Sequence, residues 1–196
     1  MKCTYVQNGG SVMVDGVERS IDEYLVVSAR LGDRDAFGHL AARWQKKLLV
    51  HAWRLTRDDQ MAQDAVQEGW VEIVRGIGRL QDSRAFPAWA YRIVTRRCAR
   101  MIGRVQRGRR LDAALAARTG AEADDFGPST GIDVDLVRRA LRRLPPQQQA
   151  AVALFYLEEM SVGEVAAALD APMGTIKTRL MHARAKLREA IMGGES

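Results

Sequence analysis

The sequence contains very little cysteine and no long apolar segment. Cys3 and Cys98 are its two cysteines in 196 residues. Two are too few for a disulfide framework, so we expect a protein of the reducing cytoplasm. The longest uninterrupted apolar run covers residues 150–157, whereas a membrane-spanning helix needs about 20 residues. Residues 1–20 contain no apolar block and do not match a secretory signal. These absences argue against a disulfide-rich secreted domain and predict no membrane insertion.

The sequence also lacks any residue set suited to catalysis or metal binding. Its three histidines, His39, His51 and His182, lie far apart and have no cysteine or acid at ligand spacing. There is no phosphate-binding glycine loop, no nucleophile elbow and no His-Glu-x-x-His stretch. We therefore expect a protein that is not an enzyme and that uses no metal and no cofactor.

Helical spacing of apolar residues runs through most of the chain. Apolar residues make up 47% and charged residues 28%, a balance typical of globular proteins. Apolar positions recur every three or four residues in 21–110 and 134–192, which predicts helices with the Trp and Met side chains in the core. We predict an all-α protein with two small helical domains at these ranges, joined by a flexible acidic linker over 111–133. Residues 1–20 are expected to form a disordered extension.

Acidic residues are absent from residues 84–110, which hold nine arginines. Like charges four residues apart repel on a helix, so this pattern is unusual for a solvated face. Four of these arginines recur every four residues and form one cationic ridge on a helix: Arg92, Arg96, Arg100 and Arg104. Trp89 and Tyr91 lie near the start of this ridge. Arginine beside aromatic rings suits phosphate pairing and stacking on unpaired bases. The alternative is a basic face whose positive charge is balanced by acidic residues elsewhere in the fold.

The predicted linker has the opposite charge. Residues 112–135 contain six acids and a single basic residue, Arg118. Two interpretations stay open on sequence alone: a soluble tether between the domains, or a segment that occupies a basic channel in a partner.

The strongest local pattern is a helix-turn-helix near the C-terminus. Pro145 and Pro146 mark a boundary and open a helix. Ser161 and Glu164 have the spacing of a capping box, which predicts the start of a short helix. A tight connection over 170–173 leads into a longer helix that reaches about Ile191. Two helices joined by so short a turn form a helix-turn-helix.

The second helix of this motif has one narrow apolar side. At 100° per residue four apolar side chains fall within about 60° of one another. They are Ile176, Leu180, Ala183 and Leu187. The opposite side carries small, polar and cationic residues, which suits insertion into the major groove of DNA. The alternative is a plain helical hairpin with a solvated face.

Three runs of this sequence resemble the sigma-70 family of RNA polymerase subunits. The run LPPQQQAAVALFYLEEMSVGEVAAALDAPMGTIKTRLMHARAKLREAI resembles region 4 of that family. The run AQDAVQEGWVEIVRGI resembles region 2.2, and FPAWAYRIVTRRCARMIGR resembles regions 2.3 and 2.4. A short linker with no intervening domain is similar to the extracytoplasmic-function (ECF) subgroup.

The resemblance implies a specificity subunit that directs promoter-specific transcription initiation. Region 2.2 would bind the β′ clamp helices of core polymerase through Asp64, Gln67 and Glu68. Regions 2.3 and 2.4 would melt the minus-ten element and hold a flipped non-template base. The matching positions are Arg84, Trp89, Tyr91, Arg92, Arg96, Arg97 and Arg100. Region 4 would read the minus-thirty-five element. Its matching positions are Thr175, Lys177, Thr178, Arg179, Met181, His182 and Lys186.

The resemblance implies further partners as well. These are the β flap of polymerase and an anti-sigma factor that covers both DNA-binding surfaces. The acidic linker would thread the channel of polymerase that leads from the active site to the RNA exit. Arg96, Arg100 and His182 depart from the residues usual in the family, so the promoter bases are not implied.

Two other functions compete with this one. A sigma-like decoy would bind an anti-sigma factor and never engage promoters, but it would have no use for the cationic ridge. A free-standing helix-turn-helix repressor would bind duplex DNA tightly by itself, and would leave the first 110 residues without a role.

Overall fold

A computed structural model describes residues 11–113, 137 and 139–192, and side-chain positions over 17–107, 137 and 139–190. Within these ranges the chain is helical, with no strand, as the sequence predicts. The helices are α1 (Ser11–Arg30), α2 (Arg34–Thr56), α3 (Asp59–Gly76), α4 (Phe86–Ala113), α5 (Pro146–Tyr156), α6 (Val162–Ala168) and α7 (Met173–Met192). Two short 3-10 segments, Ile77–Arg79 and Ser83–Ala85, connect α3 to α4. None of the described helices is long and apolar enough to cross a lipid bilayer.

Helix α1 begins before the predicted domain boundary. The expectation of a disordered extension through residue 20 is wrong for Ser11 to Ser20, which are helical; residues 1–10 lie outside the described part. Asp22 explains part of the difference, because it ties α1 to α2. Its carboxylate accepts a hydrogen bond from Arg43 at 2.7 Å and one from the Trp44 indole at 3.1 Å. Polar contacts of this kind between helices produce no periodic pattern in the sequence, so the helical spacing did not indicate them.

Aspartate side chains set the starts of α2 and α3. Asp33 accepts hydrogen bonds from two backbone N–H groups of the first turn of α2. Asp58 accepts one from Met61 at the start of α3. Each bond satisfies an N–H that has no partner within its helix. Arg57, with a left-handed φ of 55°, ends α2 and allows α3 to turn back against it.

Helices α1–α4 form an N-terminal unit around an aromatic core. The Trp44 ring meets the rings of Phe86 and Tyr91 edge-on, at centroid distances of 5.2 and 5.6 Å. Leu40 and Leu48 are fully buried on the same face of α2. This confirms a core role for Trp44. Val74 of α3, by contrast, is 55% exposed.

Helices α5–α7 form a C-terminal unit with the predicted helix-turn-helix. Pro146 opens α5, and the capping box of Ser161 and Glu164 opens α6 with both of its hydrogen bonds present. Ile176, Leu180 and Ala183 are buried, and Leu187 packs partly buried against the core. The orientation predicted from the helical wheel is therefore confirmed.

The two units pack directly against each other. Helix α4 contacts α6, and α2 contacts α5, so that one apolar core continues through both units. Helix α4 runs to Ala113, past the predicted end of the first domain at residue 110. The rest of the acidic linker, from residue 114, lies outside the described residues.

Candidate nucleic-acid interface

The cationic ridge lies along one solvent-exposed side of α4. Its four arginines are all exposed, because a spacing of four residues keeps them on one face while the opposite face buries Ile93, Val94 and Cys98. Arg84 is also exposed and pairs with Asp82 at 3.2 Å, one turn before α4 begins. The ridge thus offers guanidinium groups in a row to any anion that reaches it.

An acid of the other unit already occupies part of the ridge. The Asp170 carboxylate lies 2.7 Å from an Arg92 guanidinium nitrogen and 3.0 Å from Nε of Arg96. Hydrogen bonds from Arg96, and then from Arg92, lower the pKa of Asp170. Asp170 lies within the turn between α6 and α7, where it adopts a left-handed φ of 49°. Two arginines of the predicted DNA-binding set therefore hold a carboxylate in this structure.

Arg97 lies on a different side of α4 from the ridge. Its guanidinium contacts Glu72 at 2.5 Å and Glu68 at 2.8 Å, both on α3. The hydrogen bond to Glu72 raises the pKa of Arg97, burial acts against it, and the pairing with Glu68 adds to the rise. The sequence grouped Arg97 with DNA and Glu68 with polymerase, whereas the structure joins the two side chains. Arg97 is thus placed to orient the exposed face of α3.

The two aromatic residues at the start of the ridge are not equivalent. Tyr91 is 1% exposed and its ring lies 4.9 Å from that of His51, so in this structure it cannot stack on a base. Burial raises the pKa of its hydroxyl. Trp89 is partly buried against Gly76, where an added Cβ would lie 2.8 Å from the indole. The expectation that both rings face DNA is therefore wrong for Tyr91.

The polymerase-binding residues predicted on α3 share one side of that helix. Gln67 and Glu68 are exposed, and Asp64 accepts a hydrogen bond from Gln60 at 3.0 Å. Val71, 47% exposed, lies between them on the helical wheel, and Val74 flanks it. Neither valine was predicted at this surface, although the helical wheel of α3 places Val71 beside Gln67. This face is a strip of polar groups with an apolar centre.

Helix α7 presents its predicted reading face to solvent. Lys177, Thr178, Met181, His182 and Lys186 are exposed. The Thr178 hydroxyl donates to the Gly174 carbonyl at 3.0 Å, and Thr175 is half-buried. Arg179 differs from the others, because it is half-buried and donates to Gln147. Burial lowers its pKa.

An apolar groove of about 590 Å³ runs beside α5 and α7. Its apolar lining includes Val137, Leu141, Val152 and Leu187, and Arg54, Arg184 and Arg188 also line it. Arg184 also donates to the Tyr156 hydroxyl at 2.7 Å. The sequence did not predict this groove, since its walls come from four separate segments of the chain.

The buried titratable groups have no place on these surfaces. Burial lowers the pKa of His51 to about 3, and its Nε2 lies 2.9 Å from the Thr95 hydroxyl. Cys98 is packed in the core, and burial raises the pKa of its thiol to about 12. Within the described part of the chain, no three His, Cys, Asp or Glu side chains cluster to hold a metal ion.

Comparison with known proteins assigns both units. A family model described as Sigma-70 region 2 matches residues 40–108, and one described as Sigma-70, region 4 matches residues 135–187. The ECF RNA polymerase sigma factor SigM of Mycobacterium tuberculosis is 32% identical over 175 residues, covering 87% of this chain and 84% of the relative. The RNA polymerase sigma-H factor of Pseudomonas aeruginosa is 29% identical over 182 residues, covering 87% and 93%.

Solved structures agree with this assignment. CnrH, solved in complex with the cytosolic domain of CnrY, has a TM-score of 0.59 and 26% identity, with 90% of this chain and 99% of that chain covered. The sigma factor RpoE of Bartonella quintana has the same fold, with a TM-score of 0.61 at 22% identity over 80% and 96% of the two chains. The chain therefore belongs to the ECF subgroup of the sigma-70 family, non-catalytic subunits that direct RNA polymerase to promoters.

Proposed function

We propose a division of labour among three surfaces of this sigma factor. The exposed face of α3 binds core polymerase, the ridge of α4 holds melted DNA, and α7 reads duplex DNA upstream. The observation that carries this proposal is the wheel of α7, whose buried stripe leaves polar and cationic side chains facing solvent. This is the arrangement that a recognition helix needs in the major groove.

Upstream reading rests on three kinds of side chain on α7. Lys177 and Lys186 supply positive charge for phosphates, which fixes the register on the duplex. Thr178 and His182 supply donors and acceptors for base edges, and Met181, 58% exposed, supplies an apolar contact. Arg179 is tied to Gln147, so we assign it to orientation of the helix against α5.

Binding of melted DNA rests on the ridge and on Trp89. Arg100 and Arg104 extend the row of guanidinium groups beyond Arg92 and Arg96, and each can pair with a backbone phosphate. Trp89 offers a partly exposed ring near the start of the row. We omit Tyr91 and Arg97 from this surface, because the first is in the core and the second pairs with α3.

Polymerase contacts rest on α3 and on the apolar groove. We propose that Asp64, Gln67 and Glu68 meet the β′ clamp helices, with Val71 as the apolar centre of that contact. The groove beside α7 suits an apolar helix with acidic flanks, because Arg54, Arg184 and Arg188 line it, and we assign it to the β flap. We therefore propose that the protein acts in the bacterial cytoplasm, together with core polymerase.

Control by an anti-sigma factor completes the proposal. CnrH, which this chain resembles, was solved with the cytosolic domain of CnrY, and RpoE was solved with the anti-sigma factor NepR. We propose that an inhibitor of the same kind covers the surfaces of α3, α4 and α7 in this protein.

Run-off transcription with bacterial core polymerase on a pool of promoter fragments tests this function. We expect promoter-specific transcripts only when this protein is added. The double variant Lys177→Ala, His182→Ala should abolish them, because it removes one phosphate contact and one base contact, and a base contact alone is worth up to about 1–3 kcal/mol. The matched control is Lys46→Ala, His39→Ala, which removes the same side chains from the exposed surface of α2.

The same experiment separates the competing functions. A protein that binds core polymerase but yields no transcript with any fragment would support the decoy. One that binds duplex DNA tightly without polymerase would support the repressor. An equal loss of transcript in the two double variants would contradict the assignment of α7 as the helix that reads duplex DNA.

A further inference from the structure

Helix α1 exposes a stripe of large apolar side chains along its outer side. Val17, Tyr24 and Leu31 are 59%, 70% and 85% exposed, and Ile21 and Val27 are exposed as well. Leu31 follows the last residue of α1, but its N–H still donates to the Val27 carbonyl at 3.2 Å and so continues the helical turn. Spacings of three and four residues keep all five side chains on one side of the helix. We call these five residues the α1 stripe.

The α1 stripe is separate from the side of α1 that folds the N-terminal unit. That inner side buries Asp22, Leu25 and Val26 against the other helices. On the helical wheel these residues lie nearly opposite the α1 stripe. The helix is therefore held in place by one side and leaves an apolar surface on the other. A continuous exposed apolar surface of this kind marks a site of interaction with a protein or a membrane.

The charges around the α1 stripe favour a protein over a lipid surface. Two small residues, Ser20 and Ser28, fill the positions between the apolar side chains, so no charge interrupts the stripe. The charged residues beside it have both signs, with Glu18 and Glu23 as well as Arg30. A helix that lies on a lipid surface has a polar face rich in basic residues instead. The α1 stripe therefore fits an apolar protein surface.

The positions of the α1 stripe are symmetric about Tyr24. Ile21 and Val27 lie three residues before and after it, and Val17 and Leu31 lie seven residues before and after it. A two-fold axis at Tyr24 would place a second α1 antiparallel to the first. Val17 would then meet Leu31 of the second copy, and Ile21 would meet Val27. An interface between two identical copies has to be self-complementary in this way.

We propose that the α1 stripe is the interface of a homodimer, in which two copies of this chain pair antiparallel through α1 about a two-fold axis at Tyr24. Burial of the stripe in both copies would cover roughly 1,000 Å² in total, which is the lower limit for a specific interface. The dimer is therefore weak and forms as the protein concentration rises. The α1 stripe lies outside the surfaces proposed above for polymerase and DNA, so this inference does not depend on them.

Sedimentation equilibrium of the full chain tests whether the dimer forms. The measurement covers concentrations from the low micromolar range to several hundred micromolar, under reducing conditions that exclude a disulfide through Cys3. The average mass should rise from the 21.8 kDa of one chain toward twice that value. The mass of a single chain at every concentration overturns the proposal.

A charge placed at the two-fold axis tests which surface forms the dimer. Tyr24→Glu sets two like charges opposite each other and should weaken dimerisation at least tenfold. The matched control is Val74→Glu, which introduces the same charge at an exposed apolar position of α3 and should leave dimerisation within about twofold. Circular dichroism verifies that both variants keep their helices. Equal weakening in the two variants, or none in Tyr24→Glu, overturns the proposal.

Disulfide trapping tests the antiparallel arrangement. The cysteine variants are made in a Cys3→Ser background, where the remaining Cys98 is buried. A disulfide forms only when the two Cα atoms lie within about 7 Å of each other. Tyr24→Cys should therefore link to itself, and a mixture of Val17→Cys and Leu31→Cys should link one variant to the other. Self-linking of Val17→Cys would indicate parallel helices and overturn the proposal.

Discussion

Arginines of α4 that look alike in sequence differ in the acids that they meet. Arg92 and Arg96 meet Asp170 of the other unit, and Arg97 meets Glu68 and Glu72 of α3. A shift of one residue along the helix turns a side chain by 100°, which is enough to move it from one neighbour to another. Position on the helix therefore separates the arginines that we propose bind DNA from the arginine that pairs with α3.

Burial of a single histidine makes folding sensitive to acid. The pKa of His51 falls from 6.5 to about 3 on folding, so between these values the unfolded chain binds a proton that the folded chain does not. The free energy of unfolding should therefore fall as pH drops below 6.5, by up to about 1.4 kcal/mol per pH unit from this group. Urea unfolding between pH 7 and 4.5 measures the slope.

Two variants assign that slope to His51. His51→Leu should flatten it, whereas His39→Gln, at an exposed site, should leave it unchanged. A slope that persists in His51→Leu would mean that other groups cause the acid sensitivity.

Short helices of the C-terminal unit depend on their turns. Helix α6 has seven residues, too few to be stable as an isolated helix. Its first turn is fixed by the capping box, in which Ser161 and Glu164 exchange hydrogen bonds at 2.7 and 3.2 Å. The turns on either side contain left-handed residues, Glu159 and Asp170. Caps and turns, more than propensity, place α7 at its angle to α6.

Removal of the cap should destabilise the C-terminal unit. Ser161→Ala eliminates the acceptor for the Glu164 N–H and should lower the free energy of unfolding by about 1 kcal/mol. Chemical denaturation followed by circular dichroism measures the change. The control is Ser28→Ala in the last turns of α1, where no cap is lost and a change of a few tenths of a kcal/mol is expected. Similar losses in both variants would contradict a capping role.

At the scale of the whole molecule, charge couples the two units. The N-terminal unit contributes Lys47, Arg92 and Arg96, and the C-terminal unit contributes Glu158 and Asp170. The chain carries a net charge of +6, so a polyanion competes for the same cations. The ion pairs that add to the apolar packing between the units are thus of the kind that DNA can replace.

Compactness should therefore depend on salt. Small-angle X-ray scattering should show a radius of gyration that increases from low to high salt as exposed ion pairs are screened. Asp170→Asn should be more expanded at low salt and respond less to added salt. The same radius at both salt concentrations would show that apolar contacts alone hold the units together.

The sequence by itself determined the helical class, the helix-turn-helix and the inward stripe of α7. Each depends on residues three or four positions apart, and Ile176, Leu180 and Ala183 therefore show their burial in the pattern alone. The capping box of Ser161 could be predicted for the same reason. Family membership could also be inferred from the sequence, since the motifs are continuous runs of residues.

Only the tertiary structure decided which members of those motifs face solvent and which are paired. Asp170 lies 78 residues from Arg92 and 74 from Arg96, and no local pattern relates residues so far apart. Tyr91 does not belong to the proposed DNA surface because the aromatic cluster around Trp44 encloses it. Val71 belongs to the exposed face of α3, where 47% of it is accessible. Contacts of this kind follow from how helices pack, which the periodicity of one helix does not specify.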